Sequence, residues 1–256
     1  MTDPVRVLVP LDSQAPETVQ YAFAYAKKIA EKSATPLDVV LLTHTKAQPG
    51  FMHLDAVLGA RGSKALSKGA VQLPWGGSLR SETLQTIKSS VIGPKPAIVI
   101  VYFAEAKILD FVDGLKNLEG LIVVPDLPGG AKAWAERWSP ATHGQAQRAA
   151  PAVLISDPVV VQALTSLSKM VNLSTGLLNP RDKDYADEVL RILRAKGHSD
   201  PSGQIKSWAI QNGWRPDGAT ALEALSRKVW SLQRAPSTRG YHNVEGRYAR
   251  WSGGED

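Results

Sequence analysis

The sequence contains no cysteine. That excludes disulfide frameworks, thiolate nucleophiles and cysteine-ligated metals, and it fits a reducing compartment, so a cytoplasmic location is expected. Long apolar runs are missing too. The longest, Ala97–Ala104, falls far short of the ~20 residues a membrane-spanning helix needs, so no membrane partner is expected. Residues 1–30 read as a strand and an amphipathic helix, not as a basic start followed by an apolar core, and no signal peptide is expected. Histidine is sparse. His44, His53, His143, His198 and His242 include no pair at ligand spacing on a helix, and HExxH is absent, so no metal site is expected. His143 stands in a loop-like stretch where a catalytic role is open. A GxSxG elbow is lacking, which leaves a hydrolase triad without an anchor.

What is present is a chain of 256 residues, 43% hydrophobic, with a net charge of +6. That length supports one large core or two modest ones, and the mild basic excess favours anionic partners without naming one. Val5–Leu11 (VRVLVPL) is a mostly apolar run of the kind buried on both faces of a parallel sheet. Pro16 and Glu17 open a helix whose apolar positions Val19, Ala22, Phe23, Ala26 and Ile29 recur at helical spacing. Leu37–Thr43 is a second strand, completing a βαβ unit. Ser81–Ser89 reads as a helix, Ala97–Phe103 as a strand, Ala106–Leu115 as a helix, Leu121–Pro125 as a strand, 131–138 as a helix and Ala152–Ile155 as a last strand. Trp134 and Trp138, four apart, are expected to pack one helix face. The alternation predicts a Rossmann-like α/β domain over 1–157, a doubly wound parallel sheet of about five strands.

Ligands of such sheets sit outside the carboxyl ends of the strands. The residues there are Asp12 and Ser13, Thr43 and His44, Glu105, and Asp126 with Gly129 and Gly130. An acid closing a strand can bind ribose hydroxyls, act as a base or hold Mg²⁺, and it can equally cap the next turn. Val7–Ala30 (VLVPLDSQAPETVQYAFAYAKKIA), a strand ending in Pro10, Leu11 and Asp12 before an alanine-rich helix, resembles the universal stress protein family and its adenine-nucleotide-binding relatives. The resemblance covers less than a fifth of the chain. It implies a nucleotide beside Asp12. That family's phosphate signature (Gly, two residues, Gly, nine residues, Gly, then Ser or Thr) is not reproduced, because Gly129 and Gly130 are adjacent.

Residues 46–80 interrupt the pattern with six glycines and two prolines, and read as a long, irregular excursion with a short helix around Ala65. It is basic, with Lys46, Arg61, Lys64, Lys68 and Arg80 against Asp55. Gly59–Lys64 (GARGSK) fails the spacing and context of a phosphate loop. The segment remains a candidate for contact with an anionic ligand or nucleic acid phosphates through Arg61, Lys64 and Lys68.

Beyond Asp157 the β pattern stops. An apolar helix over Val159–Val171 and three short helices near 183–196, 201–211 and 217–232 predict a small all-α, trihelical domain over 158–234, followed by a basic-aromatic tail, 235–256. Residues 204–223 resemble a helix-turn-helix, with Ala209 between helices, Gly213 at the turn and Trp208, Trp214 and Leu222 for a core. Arg227 and Lys228 on the last helix, and Arg239 and Arg247 in the tail, are candidate phosphate contacts.

These features rank three functions. First comes a non-catalytic or regulatory protein whose α/β domain binds a small anionic ligand, a nucleotide by preference, while the helical domain contacts a partner. A nucleic-acid-associated protein using the helical domain and tail is second. An enzyme acting on a phosphorylated substrate, with Asp12 and Asp126 as metal or base groups, is third. The sequence leaves a homo-oligomer open.

Overall fold

The computed structural model describes residues 3–89, 96–146 and 152–253. They divide into two compact units, one within residues 1–151 and the other within 152–256. The expected boundary at 157/158 moves a few residues earlier, and the tail joins the second unit instead of standing alone.

The first unit runs β1 (Val5–Leu8), α1 (Pro16–Ala30), β2 (Asp38–Thr43), α2 (Asp55–Leu66), β3 (Val71–Gln72), β4 (Ser78–Thr83), α3 (Thr86–Ser89), β5 (Ala97–Ala104), α4 (Ala106–Asp113), β6 (Leu118–Pro125), α5 (Lys132–Trp138) and β7 (Ala141–Thr142). The strands form one seven-stranded sheet in the order β3-β4-β2-β5-β6-β1-β7. Every pairing is parallel except that of the edge strand β3 with β4. The expectation of about five strands is corrected at both ends of the sheet. Ser81–Ser89 is not one helix, since Ser78–Thr83 forms β4 and only Thr86–Ser89 is helical. Ala152–Ile155 pairs with nothing, and β7 is the last strand among the described residues.

Side chains alternate across the sheet. On one face Val7, Val39, Leu41, Ile98, Ile100 and Ile122 pack against α1 and against Leu66 of α2. On the other, Val40, Leu42, Val99, Val101, Leu121 and Val123 pack against Ile87, Ile108, Leu109, Val112 and Trp134 of α3, α4 and α5. The faces follow from handedness. A right-handed crossover that steps one way along the sheet puts its helix on one face, and a step the other way puts it on the opposite face. Neighbouring strands β1 and β6 therefore feed helices on opposite faces, and so do β2 and β5.

Residues 46–80 are folded. A 3-10 turn, Gln48–Phe51, leads into α2, and Met52, Leu54, Leu66 and Leu73 are buried in the α1-side core. On the other face, Trp134 and Trp138 both donate their indole N–H to Asp113 Oδ1, at 3.2 and 2.9 Å. Asp113 also pairs with Arg137, and both side chains are buried. Burial pushes the Asp113 carboxyl up, opposed by Arg137 and the two indoles. Removing Asp113 takes away the nearer carboxylate of the buried Arg137, whose contact with Asp110 is longer at 3.5 Å, and the shared acceptor of both indoles. Asp113→Ala is expected to cost about 3–5 kcal/mol, read as a lower urea midpoint at unchanged m value.

The second unit is helical. It comprises α6 (Pro158–Met170), a 3-10 turn (Gly176–Leu178), α7 (Pro180–Ala195), α8 (Ile205–Gln211), α9 (Pro216–Trp230) and α10 (Val244–Trp251). The tail thus contributes a helix, which packs on α6. Gly176, with φ 58, touches Gly218 of α9, and a Cβ on Gly176 would stand 2.6 Å from the Gly218 Cα. Only a pair of glycines permits that approach.

Asp157 starts this unit. Its Oδ1 accepts the amides of Val159 and Val160, capping α6. Its Oδ2 lies 2.6 Å from His198 Nδ1, and His198 Nε2 lies 3.0 Å from the Tyr248 hydroxyl on α10. Burial raises the Asp157 carboxyl, but the His198 hydrogen bond, the amides and the His198 charge together hold it below the ordinary carboxylate range. A depressed folded pKa gives stability that is present above the unfolded value of ~3.9 and is lost as pH falls through the folded one. Asp157→Ala is expected to lower stability by about 1–2 kcal/mol near neutral pH. Thermal melts should show the gap to the parent protein narrowing below about pH 4.

Candidate ligand site at the carboxyl ends of the strands

Strands buried on both faces expose polar groups only where they end. At the end of β1 the chain turns through Asp12, whose Oδ1 accepts the Gln14 amide at 2.9 Å and whose carbonyl accepts the Thr18 hydroxyl at 2.6 Å. Asp12 is exposed and Ser13 is buried beneath it. The neighbouring β6 ends at Pro125, followed by exposed Asp126, whose amide donates to Ala104 O at 3.3 Å. Gly130 N donates to Leu127 O at 2.9 Å, and Gly129 has φ 80, so the glycine pair closes a tight turn beside the end of β5.

At the β2–β5 junction, Thr43 is fully buried and its hydroxyl donates to Thr45 O at 2.9 Å. That hydroxyl is committed to the turn. The His44 and Thr45 amides both donate to Gln48 Oε1, at 2.7 and 3.0 Å. His44 Nε2 lies 3.8 Å from Glu105 Oε2, is buried, and has no hydrogen-bond partner.

The centre of the arrangement is β5. Alternation puts Ile98, Ile100 and Tyr102 on the α1 face and Val99 and Val101 on the other. Phe103 breaks the alternation. It has φ 56, and the register with β6 slips between Tyr102 and Ala104. Phe103 therefore joins Tyr102 on the α1 face, with ring centroids 5.1 Å apart and edge to face, while Ala104 falls on the other side. Bulges and left-handed non-glycine residues cost energy and concentrate next to binding sites. The Tyr102 side chain is fully buried and its hydroxyl has no hydrogen-bond partner. Burial pushes the phenol well above its ordinary pKa, and the negative charge of Asp12 pushes it further the same way. The hydroxyl thus stays protonated, a donor held within the field of the Asp12 carboxylate.

The structure thus brings Asp12, Ser13, Asp126, Gly129 and Gly130 to adjoining strand ends, and Thr43 and His44 to the next junction. Tyr102 was not legible as a site residue. Its signal was a polar-tipped ring in an otherwise aliphatic run, AIVIVYF.

The basic candidates lie elsewhere. Arg61, Lys64 and Lys68 are exposed on or just after α2. Lys228 and Arg239 are exposed in the second unit, and Arg227 is exposed but pairs with Glu223 at 2.7 Å. Arg247, a candidate phosphate contact in the tail, is placed differently from the other cations. It is buried, its Nη1 pairs with Glu188 Oε2 at 2.9 Å, and it stacks against Tyr185 and Trp251. Ala209, Trp208, Trp214 and Leu222 are buried, and Gly213 has φ 86 at the turn between α8 and α9.

A family model described as a domain of unknown function (DUF1889) matches residues 156–252. The match covers nearly all of the second unit and none of the strand-end site. No curated protein and no solved structure matches the chain. Among the described residues, no helix is long and apolar enough to cross a membrane, and no group of three or more His, Asp or Glu is placed to hold a metal ion.

An unpartnered buried hydroxyl is a cost that stability alone does not explain. Tyr102→Phe, without ligand, is expected to raise stability by about 1 kcal/mol in urea unfolding. A loss of stability instead would mean that the hydroxyl is bonded within the fold.

Proposed function

We propose that the first unit is a non-catalytic, regulatory domain that binds a small nucleotide-type ligand at the carboxyl ends of β1, β5 and β6, and that the second unit contacts a partner protein. The observation that carries this reading is the buried, unpaired Tyr102 hydroxyl, which feels the charge of Asp12 and sits next to the left-handed residue Phe103. A donor kept protonated next to an acceptor-only carboxylate suits a ligand edge that both accepts and donates. Ribose hydroxyls and base edges have that character. The Gly129–Gly130 turn lets backbone approach closely, and His44 Nε2 offers a further polar contact at the neighbouring junction. The resemblance of Val7–Ala30 to nucleotide-binding α/β proteins supports the same ligand class. The first unit also has the fold type whose ligands sit at these strand ends.

The test is calorimetry and thermal shift of the full chain against adenosine, AMP, ADP, ATP and their guanine counterparts, with and without Mg²⁺. Ligand at a hundred times its Kd is expected to stabilise the protein by about 2.7 kcal/mol. Asp12→Ala and Tyr102→Phe should each weaken binding at least tenfold. Silence towards every nucleoside and nucleotide would sink the reading.

A further inference from the structure

A second candidate site lies at the opposite, amino end of the same strands. On the face covered by α1, a groove of about 280 Å³ opens beside the start of β1. Its origin is a short edge. β7 pairs only with Val7 and Leu8, so Val5 lies past the end of that ladder and is 49% exposed. Gly120 of β6, opposite Val5 in register, lets α1 settle onto the sheet, because a Cβ there would stand 2.8 Å from Ile29 Cδ1. The wall on the β7 side is built. Tyr25 OH lies 3.2 Å from His143 Nδ1, and the Tyr21 ring lies against the same imidazole at 4.1 Å.

Val5, Val7 and Ile29 make the apolar floor, with Ala141 at the edge. Lys28 and Lys32 stand at the rim, both exposed, against the single carboxylate of Glu119. Their neighbour Lys27 is by contrast paired with Glu31 at 3.7 Å. Two ammonium groups outweigh Glu119 and the partial negative charge at the carboxyl end of α1. The volume is at the small end for ligand pockets.

We infer that this groove binds a small organic anion with an apolar body. The simplest such ligand is a medium-chain carboxylate, with its chain on Val5, Val7 and Ile29 and its head group at Lys28 and Lys32. The site is independent of the strand-end residues and of any nucleotide.

The test is an octanoate titration of the full chain with labelled Val and Ile methyl groups, followed by NMR at neutral pH. 1-Octanol and octyltrimethylammonium serve as neutral and cationic comparators. Saturable shifts at Val5, Val7 and Ile29 are expected with octanoate. Replacing the exposed Lys28 and Lys32 together by Gln should weaken binding about three- to tenfold. Ala141→Phe, on the exposed edge, should fill the groove and abolish binding. No saturable shift would overturn the inference. So would octanol or the cation binding as tightly as octanoate, or binding that survives Ala141→Phe.

Discussion

Everything in the first unit depends on β5. All eight of its residues are buried, and it is hydrogen-bonded in parallel to β2 on one side and β6 on the other. A strand enclosed on both faces and both edges has no room for a charged side chain along its length, because an unpaired charge there would cost several kcal/mol. Parallel neighbours in turn require crossover helices, and those helices seal the two faces. Polar chemistry in this unit is thereby driven to the strand ends and the rim. β5 itself carries a single polar side chain, Tyr102, and its buried hydroxyl has no hydrogen-bond partner.

The second unit solves a different problem. Its helices run from 7 to 16 residues, and helices of that length are marginal in isolation. Side chains that tie helix ends together provide tertiary support. Asp157 caps α6 and holds His198, which in turn reaches α10. Arg194 on α7 donates to the Val229 carbonyl in the last turn of α9 and to the Leu232 carbonyl just beyond it. The Trp214 indole donates to Ser168 Oγ at 2.7 Å. In each case a polar group near a helix terminus finds a partner far away in sequence, which makes the six elements one body.

The legible parts of this chain were those where a single local signal decides. β1, β2, β5 and β6 are mostly apolar runs, and α1, α7 and α9 are periodic with clear starts. β4 was misread because SLRSET is polar, with only Leu79 and Thr83 buried, as suits a strand near the edge. Ala152–Ile155 was misread for the opposite reason, since a short apolar run does not say whether a partner strand is waiting. The glycines of residues 46–80 hid the four apolar anchors that fold the segment down. The placement of Asp12, Thr43 and Asp126 at strand ends was legible because they close or follow apolar runs. Tyr102 was not, because the bulge that makes it notable exists only against β6. Arg247 looked like a tail cation, and its partner Glu188 lies 59 residues away.

The left-handed residue at Phe103 works as a skipped beat in the strand's two-step count. Before it, even-numbered side chains face α1. After it, Ala104 faces the other way, and the chain enters α4 from that shifted phase. The orientation of Glu105 towards His44 is inherited from that shift. Phe103 is thus the extra residue of the count. Losing it would restore plain alternation with Ala104 still on its present face, whereas losing a residue from the regular part of β5 would turn its side chains to the wrong side of the sheet.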